Sequence, residues 1–279
     1  MATDKKPIWE RTRPGIHAET KLRDRDFVMA GHHCHTCFEL FYVQSGACRF
    51  LVDESLFDLV EGDFILIPPL ALHYTRYLFG PCKRTVVRFQ KDDIGEASRR
   101  FMPREEGFFT GSAVFSVPRE YRDRVAGCLG HMSDEEALGD DQSLLMRQLS
   151  LQWMFLLCSR VCAFREEPST DLKTTDEQIL RAAHFISSHY MNPLTTQDVA
   201  ASVGFSPNYL SRRFRQEAGV GLHEYLVFIR LHHAALELVS TEDSITDIAF
   251  RCGFSDSNYF KDAFKKKYGV TPREYRKMM

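Results

Sequence analysis

No apolar run in this chain of 279 residues is long enough to cross a bilayer; the best candidate, Leu149 to Phe164, is broken by Gln152, Ser159 and Arg160. No signal-peptide pattern appears at the start, where Lys5, Lys6 and Pro7 lead into charged sequence, and a cytoplasmic location is expected. The eight cysteines show no regular pairing. That excludes a disulfide scaffold and leaves small buried side chains or thiols in a reducing compartment. Nor is there an excess of either charge, with 36 Lys and Arg against 38 Asp and Glu. From residue 174 onward 13 basic residues meet 12 acidic ones, so the bulk field would attract a polyanion only weakly. What the composition does describe is a globular protein long enough for two domains of ordinary size.

The last hundred residues repeat one pattern. Its first copy runs from Leu194 to Phe214 and its second from Ser244 to Phe264. Each begins with a hydroxyl residue followed three positions later by an aspartate, Thr195 with Asp198 and Ser244 with Asp247, which predicts a capped helix start. Each first helix is expected to end at a glycine, Gly204 or Gly253, able to take the left-handed conformation of a sharp turn. Ser206 and Ser255 are then expected to cap the second helix, with Pro207 where a missing amide proton costs nothing. Leu210 and Phe214 in one copy, and Phe260 and Phe264 in the other, turn an apolar stripe inward and leave the opposite face free. Two helices joined by a short glycine turn describe a helix-turn-helix, and a matched repeat is far less common than a single hairpin. Leu222 to Val239 has no Pro or Gly inside and reads as one connecting helix. About 18 residues at 1.5 Å each, roughly 27 Å, would set the two second helices about one duplex turn apart.

With the closing run Gly253-Phe254-Ser255, Tyr259-Phe260, Phe264-Lys265-Lys266, Tyr268-Gly269-Val270-Thr271-Pro272 and Tyr275-Arg276, residues 175–279 resemble the DNA-binding domain of the AraC/XylS family of bacterial transcription regulators. The resemblance implies seven helices, the third and sixth of which, roughly Pro207 to Glu217 and Asp256 to Lys267, enter the major groove. By the same resemblance Asn208, Ser211, Arg212 and Arg215 in the first motif, and Ser257, Asn258, Lys261 and Lys265 in the second, contact double-stranded DNA. The chemistry suits that role, since Arg pairs bidentately with guanine, Asn with adenine, and Ser with several edges. Arg213, Arg215, Lys265, Lys266 and Lys267 are read as phosphate contacts or as solvated charges. Asp262 departs from the family pattern by placing a carboxylate beside the groove.

Upstream, short strands are expected at Glu39 to Gln44, Cys48 to Val52, Ser55 to Val60, Phe64 to Ile67 and Thr85 to Phe89. The breaks between them carry turn chemistry at Ser45-Gly46, Asp53-Glu54, Glu61-Gly62-Asp63 and Pro68-Pro69. Together they imply an all-β barrel or jelly roll. His33, His35, Glu39 and Gly46, then Gly62, Pro68 and His73, resemble the two motifs of cupins, in which such residues hold a divalent metal inside the barrel. His33 and His35 lie two apart and share a strand face, whereas Cys34 alternates to the other. The set suits Zn, Fe, Ni or Mn, but similar residues in this family also serve without a metal, so none is required. Tyr42, Arg49, Tyr74, Arg76 and Arg88 are candidates for binding a polar effector at the barrel mouth, and the family resemblance favours a sugar or sugar-derived molecule.

Pro118 to Leu138 and Ser143 to Phe164 read as helices that cover the barrel or, by resemblance, form a homodimer interface. Polar, proline-containing sequence from Arg165 to Asp171 then marks a linker. The expected organisation is therefore a two-domain α+β protein. An all-β cupin-like barrel with flanking helices occupies 1–165, a linker 166–174, and an all-α domain with two helix-turn-helix motifs 175–279. The implied function is a ligand-responsive regulator, an activator by family habit, that works with RNA polymerase and is not an enzyme. Two alternatives stand beside it: a cupin-type metal-dependent enzyme fused to a DNA-binding module, and a constitutive regulator whose barrel only dimerises.

Overall fold

The computed structural model describes residues 15–27, 33–52, 55–69, 71–77, 80–95, 112–165 and 174–278. The expected linker therefore lies outside them up to residue 173, and so does the Asp53-Glu54 turn.

Among the described residues nine strands precede the helical half: β1 (His17–Arg23), β2 (Phe38–Ser45), β3 (Ala47–Val52), β4 (Ser55–Val60), β5 (Asp63–Ile67), β6 (His73–Tyr77), β7 (Cys82–Phe89), β8 (Ala113–Ser116) and β9 (Ala163–Arg165). They form a six-stranded sheet ordered β1-β7-β2-β5-β8-β9 and a three-stranded sheet ordered β4-β3-β6. Period-two alternation sorts their side chains. Phe41, Val43, Phe50, Phe57, Leu59 and Ile65 fill the space between the sheets. Leu40, Tyr42, Phe64 and Phe115 face the other way, beneath α1 (Arg122–Leu138) and α2 (Ser143–Val161), where Val125, Leu129, Met154 and Phe155 complete a second core.

The five expected strands are present, and the structure adds four. Among these β1 has little apolar alternation because it is an edge strand, with mostly exposed or half-buried positions. The flanking helices need correction at both ends. Arg119–Tyr121 is a 3-10 turn before α1, and α2 stops at Val161 rather than Phe164. Cys162 takes an extended backbone there, and Ala163–Arg165 pairs with the open edge of β8. Tertiary pairing overrides the helical preference of the preceding residues.

The helical half contains α3 (Thr174–His189), α4 (Thr196–Val203), α5 (Pro207–Ala218), α6 (Leu222–Ser240), α7 (Ile245–Arg251), α8 (Ser257–Tyr268) and α9 (Pro272–Met278), the seven expected among the described residues. It has two cores. Leu210, Phe214, Tyr225 and Ile229 belong to the first, and Leu231, Leu238, Phe260 and Phe264 to the second, so that α6 serves both. Barrel residues enter each: Leu51, Leu56 and Leu72 the first, Cys34 the second. No helix among the described residues is long and apolar enough to cross a membrane.

Candidate nucleic-acid interface and barrel cluster

The first motif is built by its caps. Thr195 and Asp198 form the reciprocal box that starts α4, and Gly204 ends it at φ +72°. Ser206 then accepts from the Tyr209 amide, with Pro207 leading α5. With Leu210 and Phe214 buried inward, Asn208, Arg212 and Arg215 are exposed and Ser211 is half-buried. The Arg212 guanidinium lies 5.8 Å from the Tyr209 ring centroid, a cation–π contact that holds it outward.

In the second motif Ser244 accepts from the Asp247 amide as expected. Gly253, at φ +86°, is required by more than its conformation, since a Cβ there would lie 2.5 Å from the Tyr190 carbonyl oxygen. The cap of α8 is a correction: Asp256, not Ser255, accepts from the Asn258 amide at 2.8 Å. Both residues carry a capping oxygen, and the chain starts its helix one residue later than expected. Asn258, Lys261 and Lys265 are exposed and Ser257 is half-buried, with Phe260 and Phe264 turned inward. Asp262 is exposed as well. The connecting helix α6 has 19 residues, about 28 Å of straight rod.

Two basic residues read as outward-facing point elsewhere. Arg213 binds Gln216 at 3.0 Å and Glu217 at 3.2 Å. The Lys267 ammonium lies 4.1 Å from the centroid of the Phe228 ring.

In the barrel, His33, His35, Glu39 and His73 offer ligand atoms that all lie within 4.8 Å of one another. His33 is brought to His73 by a backbone bridge, its N–H donating to the His73 carbonyl at 3.1 Å and its carbonyl accepting from the His73 N–H at 2.9 Å. Nδ1 of His35 pairs with the Cys37 carbonyl at 2.8 Å, and Nδ1 of His73 with the Ala71 carbonyl at 2.9 Å. These bonds turn both Nε2 atoms toward Glu39, at 3.1 and 3.8 Å. Nε2 of His73 is buried with no hydrogen-bond partner among the described residues. Arg88 Nε donates to the same Glu39 oxygen as His35, at 3.1 Å.

Burial, reinforced by its neighbour His73, holds His33 well below the usual histidine range, and burial takes His73 down to about 4. His35 goes the other way, to about 9, because its bonds to Cys37 and Glu39 outweigh burial. Glu39 stays well below the usual carboxylate range, burial being outweighed by Arg88 and His35. Ligands at about 2.0 to 2.2 Å from a shared ion would stand about 3 to 4.3 Å apart. The set needs only slight contraction to fit, and the carbonyl-held imidazoles already have the outer support that metal-binding histidines use.

The five effector candidates are not gathered in one place. Only Arg88 joins the cluster. Tyr42 lies on the opposite face of β2 from Glu39, its ring 4.4 Å from that of Phe64 under the flanking helices. Arg49, Tyr74 and Arg76 sit on the outer face of the three-stranded sheet. There Arg49 chelates Asp58 at 2.6 and 2.7 Å, and Arg76 reaches Glu217 on α5 at 2.8 Å. Alternation on β6 carries the signal: with His73 inward, Tyr74 and Arg76 must face outward. Glu217 escaped notice because an acid near a helix end ordinarily faces solvent, whereas here it is buried among Arg49, Arg76 and Arg213.

An AraC-like ligand-binding domain model matches residues 20–149, and a helix-turn-helix domain model matches 199–278. The xylose operon regulatory protein of Escherichia coli K12 is 37% identical over 112 residues, which is 40% of this chain and only 29% of that relative. The HTH-type transcriptional activator RhaS of an Enterobacter species is 23% identical over 276 residues, covering 92% of this chain and 97% of RhaS. Among solved structures, the C-terminal domain of AraT, a response regulator from Geobacillus stearothermophilus, is 37% identical and covers 40% of this chain and 89% of its own, with a TM-score of 0.36. With an AraC-like ligand-binding domain followed by a doubled helix-turn-helix, and with RhaS aligned along nearly its whole length, the chain belongs to the AraC/XylS family.

Proposed function

We propose that the protein is a sequence-specific DNA-binding transcription regulator that acts by binding in the cytoplasm and not by catalysis. The observation that carries this reading is the pair of exposed helix faces, Asn208, Arg212 and Arg215 on α5 and Asn258, Lys261 and Lys265 on α8, at either side of one uninterrupted connecting helix. Arg212 and the two Asn side chains read base edges, and Arg215 and Lys265 hold phosphates. Because the helical half is almost neutral, useful affinity needs two copies. The second copy docks on α2, where Leu145, Leu149 and Trp153 recur every four residues and are exposed by 57%, 53% and 40%.

The barrel is the sensor. An effector acts by favouring one arrangement of the reading motifs over another, which requires tighter binding to that arrangement. A small polar molecule of the sugar class fits the cluster of Arg88, Glu39 and the histidines better than the apolar filling between the sheets, and the xylose relative's name supports that class. A second reading concerns a metal and rests on the unpartnered, buried Nε2 of His73. On it, His33, His35, Glu39 and His73 hold a divalent transition-metal cation, which supplies a Lewis-acidic anchor for an oxygen ligand.

The test is a selection of genomic DNA fragments by the purified protein, with and without sugars and Zn(II). Enrichment of paired half-sites is expected, and sequence-independent retention under every condition overturns the regulator reading.

A further inference from the structure

The residue between the first two cluster histidines does not face the barrel. Cys34 alternates outward and is buried in the core of the second helix-turn-helix, with Tyr268 at the end of α8 and Tyr275 of α9. In the same core the Tyr268 hydroxyl donates to the Leu231 carbonyl of α6 at 3.3 Å, so Cys34 is seated where α6 and α8 meet. His33 and Tyr268 thus belong to opposite sides of one short piece of backbone. A second link lies beside it: Lys267 immediately precedes Tyr268 in the last turn of α8, where its ammonium rests 4.1 Å from the centroid of the Phe228 ring.

We infer that occupancy of the four-residue cluster by a divalent transition-metal cation is relayed to the second DNA-reading motif through Cys34 and Lys267, and that it loosens that motif from the barrel. This rests on reading the cluster as a metal site. Two physical effects act in the same direction. Drawing His33 toward a shared ion, with His73 already 4.1 Å away between ring centroids, moves the backbone that carries Cys34 and disturbs its seat. The added positive charge also repels Lys267, sending its ammonium outward to where a DNA phosphate can accept it. The first motif is pinned to the barrel more firmly, by Arg49 and Arg76 on Glu217 and by Leu51, Leu56 and Leu72 in its core, so the second motif is the one that the relay frees.

The experiment uses the full-length protein with Zn(II) alone. Binding is measured by calorimetry against Glu39→Gln, which keeps the side-chain shape but removes a charged ligand and so separates this site from thiol sites elsewhere. The accessibility of Cys34 is followed by alkylation with peptide mass spectrometry, and DNA affinity by fluorescence anisotropy on a selected fragment. We expect Zn(II) to raise both Cys34 alkylation and DNA affinity by about fivefold or more. Neither response should appear in Glu39→Gln, and the gain in affinity should be lost in Lys267→Met and kept in Lys267→Arg. Binding indistinguishable between wild type and Glu39→Gln removes the metal reading and the relay with it. Glu39-dependent binding that leaves Cys34 and DNA affinity unchanged, or a Lys267→Met variant that responds like wild type, overturns the relay and leaves the metal site standing.

Discussion

Arg76 on the barrel and Glu217 on the first reading helix are joined by a 2.8 Å ion pair across 141 residues of sequence. Arg49 at 3.6 Å and Arg213 at 3.2 Å surround the same carboxylate. Glu217→Gln removes a negative charge that these three guanidiniums share. We expect a stability loss of about 1 to 3 kcal/mol in urea unfolding, with Arg49 partly spared because it keeps Asp58. A loss no larger than that of Glu224→Gln, an exposed acid on α6, would show that the pair is ordinary surface charge.

Two glycines separate backbone strain from interdomain contact. Gly204 and Gly219 both take positive φ, +72° and +75°, so an alanine at either costs about 1 to 2 kcal/mol. Among the described residues nothing lies within 4 Å of a Cβ on Gly204, whereas one on Gly219 would run into the Tyr74 ring. Gly219→Ala should therefore destabilise more than Gly204→Ala, and Tyr74→Ala should remove the excess in a double-mutant cycle. Equal losses at the two glycines would mean that the barrel does not press on this turn in solution.

At the DNA interface, Arg212→Ala is expected to weaken specific binding by about 1 to 3 kcal/mol and relax base preference at one position. Lys265→Ala should weaken specific and random DNA alike and flatten the salt dependence. Anisotropy titrations on both DNAs at several salt concentrations check this. An equal loss on both DNAs for Arg212→Ala would reassign it to phosphate.

Acid should act through His232 on α6, which burial, then His233 and Lys267, push down to about 4 from the usual 6.5. Between those values the unfolded chain takes up the proton and the folded chain does not, so stability is full above about 6.5 and falls as pH drops toward 4. His232→Leu should flatten that part of the stability profile relative to wild type. The same slope in both proteins would exclude His232 as a source of acid sensitivity.

The exposed stripe on α2 gives a prediction about assembly. A buried Leu contributes about 1.5 to 3 kcal/mol, so Leu149→Glu should raise the dimer dissociation constant at least tenfold, by about 1.4 kcal/mol or more. Sedimentation velocity reads this directly, and an unchanged dimer would move the interface elsewhere.

Local chemistry made most of the helical half readable in advance. Thr195 with Asp198, and Ser206 with Pro207, announce α4 and α5 within a few residues of chain, and the lack of Gly and Pro in α6 gives its length. The cap at Asp256 is not legible, because Ser255, one residue earlier, carries an equally competent oxygen. The four-residue barrel cluster was legible because its residue types are restrictive and two members share a strand face. The side-chain types of Arg49, Tyr74 and Arg76 suit polar ligands at a barrel mouth, but strand parity sends all three to the outer face. The Glu217 contact could not be read from either end, since it exists only once two separately folded surfaces meet.

The connecting helix turns a protein dimension into a rule about operators. Because α6 is packed into both helical cores, the offset between the two reading heads of one copy is fixed by covalent geometry and cannot be adjusted by a hinge. Single-base changes under either head would erode binding gradually. Inserting about five base pairs, half a duplex turn, between the stretches they read would carry one stretch to the far side of the duplex. Binding sites for this protein should therefore tolerate drift in sequence far better than drift in internal spacing.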